Sequence, residues 1–170
     1  MTTSLEQLAK QVGEQFKRRG LKLITAESCT GGGLAYAITS IPGSSAWFDR
    51  GLVTYSNTSK EELLGVSPLT LATFGSVSAE TAQEMAEGAL NHSQAHISIA
   101  LTGIAGPEGG THNKPVGTVW IACAVAAIPT QVKHHFFSGE RANIREKSID
   151  SALHFLLNII SSISHPKFDS

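Results

Sequence analysis

The chain is poor in charge. Of its 170 residues only 16% are Asp, Glu, Lys or Arg, and 13 cationic against 14 anionic side chains leave a formal net charge of −1. No basic run exceeds Lys17-Arg18-Arg19. That argues against nucleic acid as the main partner, because neutralising phosphates takes a clustered basic face. Three cations in the last turn of a helix simply suit its dipole. Cysteine is equally scarce: Cys29 and Cys123 lie far apart, without metal-ligand spacing. They read as free thiols of a reducing compartment, with the cytoplasm the expected location. Long apolar runs are missing too. The longest, Val116 to Ile128, is broken by Gly117 and Thr118 and is too short to span a bilayer. The polar start lacks the apolar core of a secretory signal. No membrane partner, internal repeat, low-complexity segment or linker is expected.

What is present is enough for a core. Hydrophobic residues make up 41%, and the length fits a single domain over residues 1–170. Leu5, Leu8, Ala9, Val12 and Phe16 recur at helical spacing behind Ser4, with Gln7 completing a capping box, and Gly20 closes the helix. A strand is predicted over Leu21–Thr25, then a helix through Ile38 ending near Pro42-Gly43. Extended chain from Trp47 to Ser56 is followed by a short helix opened by Thr58 and Ser59 and closed by Gly65. Ser78 caps an amphipathic helix with Ala82, Met85, Ala86, Ala89 and Leu90 on its apolar face. His96–Leu101 reads as a strand. Val116–Val125 and Gln131–Phe137 read as an antiparallel pair around Pro129. A long helix runs from Ala142 to Ser162. The expected fold is α/β, a three-layer α/β/α sandwich with a mixed, mostly parallel sheet.

Chemistry concentrates in four clusters. Ala26-Glu27-Ser28-Cys29-Thr30-Gly31-Gly32-Gly33 breaks a strand into a helix N-terminus, where outward N–H groups and the dipole favour negative charge. Ser28 or Cys29 could attack there and have its oxyanion stabilised. A plain Gly-rich turn with Ser28 or Thr30 as N-cap has the same spacing. Tyr55-Ser56-Asn57-Thr58-Ser59-Lys60 supplies a lysine at a helix opening, where the dipole disfavours a cation. A lysine can be a general base only as the neutral amine, after desolvation or beside another cation. A solvated surface lysine paired with Glu61 is the ordinary alternative. Thr102-Gly103-Ile104-Ala105-Gly106-Pro107-Glu108-Gly109-Gly110 is Gly-rich but neither a Walker A loop nor a Rossmann fingerprint. Its glycines let backbone amides approach a ligand closely, and a plain connecting loop would look alike. Arg141 and Arg145, one helical turn apart after Gly139-Glu140, could face one anion together or pair with Glu140 and Glu146.

The seven histidines form no ligand pattern. His92 and His96 straddle a helix end, adjacent His134 and His135 point to opposite faces of a strand, and His112, His154 and His165 are isolated. No metal is expected, and Glu27, Asp49 and Glu80 make no carboxylate pair.

Taken together, Ala-Glu-Ser-Cys-Thr-Gly-Gly at 26–32, Tyr-Ser-Asn at 55–57 with Lys60, Thr-Gly-Ile-Ala-Gly-Pro at 102–107, Lys-Pro-Val-Gly-Thr-Val at 114–119 and Gly-x-Arg at 139–141 resemble the C-terminal domain of the CinA proteins. Stand-alone members of that family include PncC-type nicotinamide-nucleotide amidohydrolases (NMN deamidases). The resemblance runs from the first helix to about Leu157, and activities of the separate N-terminal domain of full-length CinA proteins are not carried over. It implies hydrolysis of the carboxamide of nicotinamide mononucleotide, a small-molecule nucleotide substrate, to nicotinate mononucleotide and ammonia. It implies Ser28 as nucleophile, Lys60 as general base and Tyr55 assisting the proton network, with no cofactor. Cys29, Thr30, Gly31 and Gly32 would supply oxyanion-hole amides. Asn57, Thr102, Gly103, Ala105 and Gly106 would line the substrate site, with Arg141 on the phosphate and Arg145 as a further phosphate candidate. A homodimer or higher homo-oligomer is also implied. Position 140 carries Glu140 where the family often has aspartate, and segment 108–113 is where its members are expected to differ. Two other readings stay open: an amidase in which Cys29 is the nucleophile, and a nucleotide-binding module without turnover.

Overall fold

Period-2 alternation in the strands sorts the core into two layers. Five strands, Leu23–Glu27 (β1), Phe48–Val53 (β2), Ile97–Gly103 (β3), Thr118–Val125 (β4) and Ile128–Phe136 (β5), form one sheet in the order β2-β1-β3-β4-β5. This computed structural model describes residues 3–164, so His165 lies outside the described residues. β1 pairs parallel with both β2 and β3, whereas β4 pairs antiparallel with β3 and β5. Only β4 therefore runs against the other strands. The mixed α/β sandwich expected from sequence is the observed fold.

On one face, Leu23, Ile97, Ile99, Leu101, Val119 and Ile121 pack against Thr3–Arg19 (α1), Gly33–Thr39 (α2) and Arg141–Ser162 (α6). On the other, Ile24, Ala26, Ala100, Ala122 and Ala124 meet Asn57–Leu64 (α3), Pro68–Phe74 (α4) and Ala79–Asn91 (α5). Alanines on both sides of this second interface, including Ala82, Ala86 and Ala89 of α5, bring helix and sheet backbones close. Ser98, fully buried in β3, donates its hydroxyl to the Ala86 carbonyl, so the polar group is satisfied where it is dry. No described helix is long and apolar enough to cross a membrane.

Several sequence expectations shift locally. α1 begins at Thr3, so Ser4 is inside the helix rather than its cap. α3 is capped by Ser56, whose hydroxyl accepts from Ser59 N while Ser59 Oγ accepts from Ser56 N, in place of the expected Thr58–Ser59 opening. α4 has no counterpart in the sequence reading. Its Ser67 cap and Pro68 at the first turn are start signals, but seven residues give too little periodicity to register. The β4–β5 turn falls at Ala126–Ala127, with Ala127 at φ 62°, and not at Pro129. Pro129 instead enters β5, an edge strand, where a missing N–H can face away from the ladder. Because β1 and β3 are parallel neighbours, the two Gly-rich loops leave the same sheet edge side by side, the place where open α/β sheets bind ligands.

Candidate active site

The strand β1 ends by turning sharply into a buried loop. Ser28 N donates to Leu101 O of the neighbouring strand at 3.0 Å, which pins the nucleophile candidate to the sheet edge. Gly31 and Gly32 then adopt φ 57° and 91°, the left-handed region that glycine enters without penalty. Helix α2 starts only at Gly33 and has no side-chain cap from Ser28 or Thr30. Its first amides point inward, not at a ligand. Glu27, with no solvent exposure, accepts from Leu34 N at 2.8 Å and Thr30 Oγ1 at 2.7 Å through Oε1, and from Ala35 N at 3.0 Å through Oε2. The anionic group favoured by the α2 dipole is therefore supplied by the protein itself. Of the backbone amides at 29–32, that of Gly31 is spent on Ser28 O.

Lys60 reaches this loop from α3. Its side chain is 1% exposed, and Nζ lies 3.0 Å from Ser28 Oγ and 2.8 Å from the carbonyl oxygen of Thr54. Burial strips water from the ammonium and pulls its pKa from 10.5 down to about 8, against a smaller opposing effect of Cys29. Desolvation, one of the two routes open from sequence, is the one at work. Donation to the fixed Thr54 carbonyl orients the amine, and its lone pair is then available to the Ser28 hydroxyl. Cys29 goes the other way. Burial pushes its thiol up to about 11; its own backbone amide works against that, and the Glu27 carboxylate adds to it. At neutral pH the group beside Ser28 is a protonated thiol, a poor nucleophile.

A cavity of about 410 Å³ opens over these residues. Ser28, Cys29, Tyr55, Lys60, Thr102, Gly103, Ala105, Gly106 and Arg141 all line it, so the separate sequence clusters converge on one site. Ser28 and Cys29 both reach the cavity wall although they are adjacent in the chain. Thr30, Gly31, Gly32, Asn57 and Arg145 are not part of the lining. Thr30 is buried with its hydroxyl on Glu27, and Arg145 turns its NH2 group to the carbonyl of Thr30 at 3.0 Å, bracing the loop from behind. Arg141 donates NH1 to Gly106 O at 2.7 Å and NH2 to the hydroxyl oxygen of Tyr55 at 3.0 Å. Tyr55 thus meets the arginine rather than the Ser28–Lys60 pair. The two arginines, one turn apart, do different jobs.

Sequence reasoning missed one wall. Gly75, Ser76 and Val77, linking α4 to α5, line the cavity beside the Gly-rich loop. Thr102 Oγ1 donates to Ser76 O at 2.6 Å and ties that wall to β3. The 74–78 segment carries no residue type that marks a site. Only the fold brings it there. A buried hydroxyl held against a partly neutral amine, inside a cavity, is an arrangement suited to nucleophilic attack on an acyl carbon.

Named relatives match most of this chain. The family model described as CinA C-terminal domain matches residues 5–160. The "Nicotinamide-nucleotide amidohydrolase PncC" of Escherichia coli (strain K12) is 50% identical over 157 residues, covering 92% of this chain and 95% of that protein. The protein of the same name from Pseudomonas putida is 44% identical over 89% of this chain and 94% of its own length. The crystal structure of competence/damage inducible protein CihA from Agrobacterium tumefaciens superposes with a TM-score of 0.92 at 44% identity, covering 94% of this chain and 97% of that one. On sequence and fold alike, this chain belongs to the CinA C-terminal domain family.

Proposed function

We propose that this protein is an amidohydrolase that converts nicotinamide mononucleotide to nicotinate mononucleotide and ammonia. The observation that carries the reading is Lys60 Nζ at 3.0 Å from Ser28 Oγ, with the lysine pKa drawn down to about 8 at the floor of a cavity. It is supported by relatives named as nicotinamide-nucleotide amidohydrolases that match nearly the full chain.

In this scheme the neutral Lys60 amine takes the Ser28 hydroxyl proton as Oγ bonds to the carboxamide carbon. The amide of Cys29, the one residue of 29–32 that lines the cavity, faces the oxyanion (that of Gly31 is already committed). The carbon–nitrogen bond then breaks, and Lys60 returns the proton to the departing ammonia. Water loses a proton to Lys60, adds to the acyl-Ser28 ester, and Ser28 leaves as the alcohol with that proton. Atoms and charge balance without a metal or cofactor. The pyridinium ring is cationic, which activates the carboxamide and, beside Lys60, favours the neutral amine. The ribose phosphate lies toward the Gly-rich loop, with Arg141, already seated on Gly106, as its charged partner.

Ammonia release from nicotinamide mononucleotide, measured for wild type and Ser28→Ala, tests the reading. Turnover in the wild type that disappears in the variant supports it. Equal turnover in both removes Ser28 from its role, and no turnover in either points to a binding module or another amide.

A further inference from the structure

Among the described residues, Lys114 is the one cavity-lining lysine besides Lys60, and the fold holds it in place. Its backbone closes a small turn in both directions: Lys114 N donates to Thr111 Oγ1 at 3.0 Å, and Thr111 N donates to Lys114 O at 2.8 Å. The half-buried side chain lies against the α4–α5 link. There Nζ donates to the carbonyl of Phe74, the last residue of α4, and a Cβ on Gly75 would stand 3.2 Å from it. Among the described residues, that is the one hydrogen bond made by Nζ. An ammonium has three protons, so two remain for a ligand in the cavity.

Arg141 is differently placed. Its NH1 and NH2 groups are already donated to Gly106 O and to Tyr55, one of the residues that share the cavity with Ser28. Lys114 is tied through the Phe74 carbonyl to the wall that carries Ser76 and Val77. The chemistry at the reacting end takes a neutral amide. An anion in the same cavity therefore belongs to the other part of the substrate. A phosphate monoester carries close to two negative charges and several acceptor oxygens, more than the single positive charge of one guanidinium can balance.

We infer that Lys114 is a second phosphate ligand and sets the preference for a nucleotide over the corresponding nucleoside. The inference rests on the amidohydrolase reading above.

The test is calorimetric binding of nicotinate mononucleotide and of nicotinate riboside to wild type, Lys114→Met and Lys114→Arg. Loss of a charge-assisted contact is expected to weaken nucleotide binding about tenfold or more in Lys114→Met. Riboside binding should stay within about twofold, and Lys114→Arg should recover part of the loss. A helix-capping role alone would weaken both ligands equally, and that result overturns the inference, as does unchanged nucleotide binding in Lys114→Met. Failure of the wild type to bind the nucleotide overturns the amidohydrolase reading as well, which separates the two failures.

Discussion

Lys60 Nζ stands 3.0 Å from Ser28 Oγ and 2.8 Å from Thr54 O, so one buried amine joins the loops that follow β1 and β2. The sheet makes this meeting possible. β1 and β2 are parallel neighbours, and their carboxyl ends open at one edge. With the pKa drawn down to about 8, about a tenth of the amine is neutral at pH 7, against fewer than about one in a thousand at the ordinary value of 10.5. The free enzyme's kcat/KM should therefore climb about tenfold per pH unit below 8 and level off above it. Lys60→Arg, whose guanidinium stays protonated, should lose at least about a hundredfold in kcat at every pH. A flat profile between pH 6 and 9 would contradict the assignment of Lys60 as base.

The same burial costs stability. The folded pKa of Lys60 lies below the unfolded one, so between about 8 and 10.5 the folded state holds fewer protons than the unfolded state. Stability then rises with pH across that window, and the penalty is fully present below it. Its size is about 3 kcal/mol. Lys60→Met removes this penalty but leaves the Thr54 carbonyl without its partner, at about 1 kcal/mol. Urea unfolding at pH 7 should show the variant more stable by about 2 kcal/mol while turnover is lost. A less stable variant would mean that the amine is well solvated or well paired in the folded state.

Two adjacent candidates, Ser28 and Cys29, line the cavity, and their acidities separate them. A thiol at about 11 is less than about 0.1% thiolate at pH 7.5. Alkylation of Cys29 by iodoacetamide at that pH should be slower than that of a free cysteine by at least about a hundredfold. Cys29→Ala should keep activity within about tenfold of wild type, whereas Ser28→Ala should lose at least about a thousandfold. The reverse ranking would move the nucleophile to Cys29.

Glu27 is the residue on which the nucleophile loop is built. Its carboxylate satisfies Thr30 Oγ1, Leu34 N and Ala35 N where no water reaches. Glu27→Ala strands all three donors, and each buried orphan costs about 1–3 kcal/mol. A loss of at least about 3 kcal/mol in unfolding free energy is expected by urea denaturation. A loss below about 1 kcal/mol would show that water enters and replaces the carboxylate.

Much of this was legible in the sequence, for reasons that differ between residues. α5 and α6 were readable because long, strongly periodic segments carry their own signal, and β1 and β3 because each is a short apolar run that ends in a Gly-rich loop. Ser28, Lys60, the 102–106 loop and Arg141 stood out because each pairs a reactive or cationic group, or a run of glycines, with an element boundary. Spacing could not say that the α2 amides are filled by Glu27, or that Arg145 faces Thr30 O instead of the cavity. Both depend on which way a side chain turns after the strands have paired. The wall at Gly75–Val77 was invisible for a similar reason: it contributes backbone and small side chains, and its place follows from α4, a helix too short for periodicity.

Gly88 shows the same limit in a form that can be measured. A glycine in the middle of α5 costs about 1 kcal/mol relative to alanine by helix propensity, so the sequence alone marks Gly88→Ala as stabilising. In the structure a Cβ at this position would lie 1.8 Å from the carbonyl oxygen of Leu64, the last residue of α3, and 2.8 Å from its carbonyl carbon. Neither backbone can yield without moving the helix that carries Lys60. Overpacking against a fixed backbone costs about 1–3 kcal/mol, which outweighs the propensity gain. Gly88→Ala should lower the unfolding free energy by up to about 2 kcal/mol. It should also lower kcat more than it raises KM, since it displaces the base and not the phosphate contacts. A stabilised variant with wild-type kcat would mean that α3 and α5 slide apart freely, and that the distance between Lys60 and Ser28 is fixed from the Thr54 side alone.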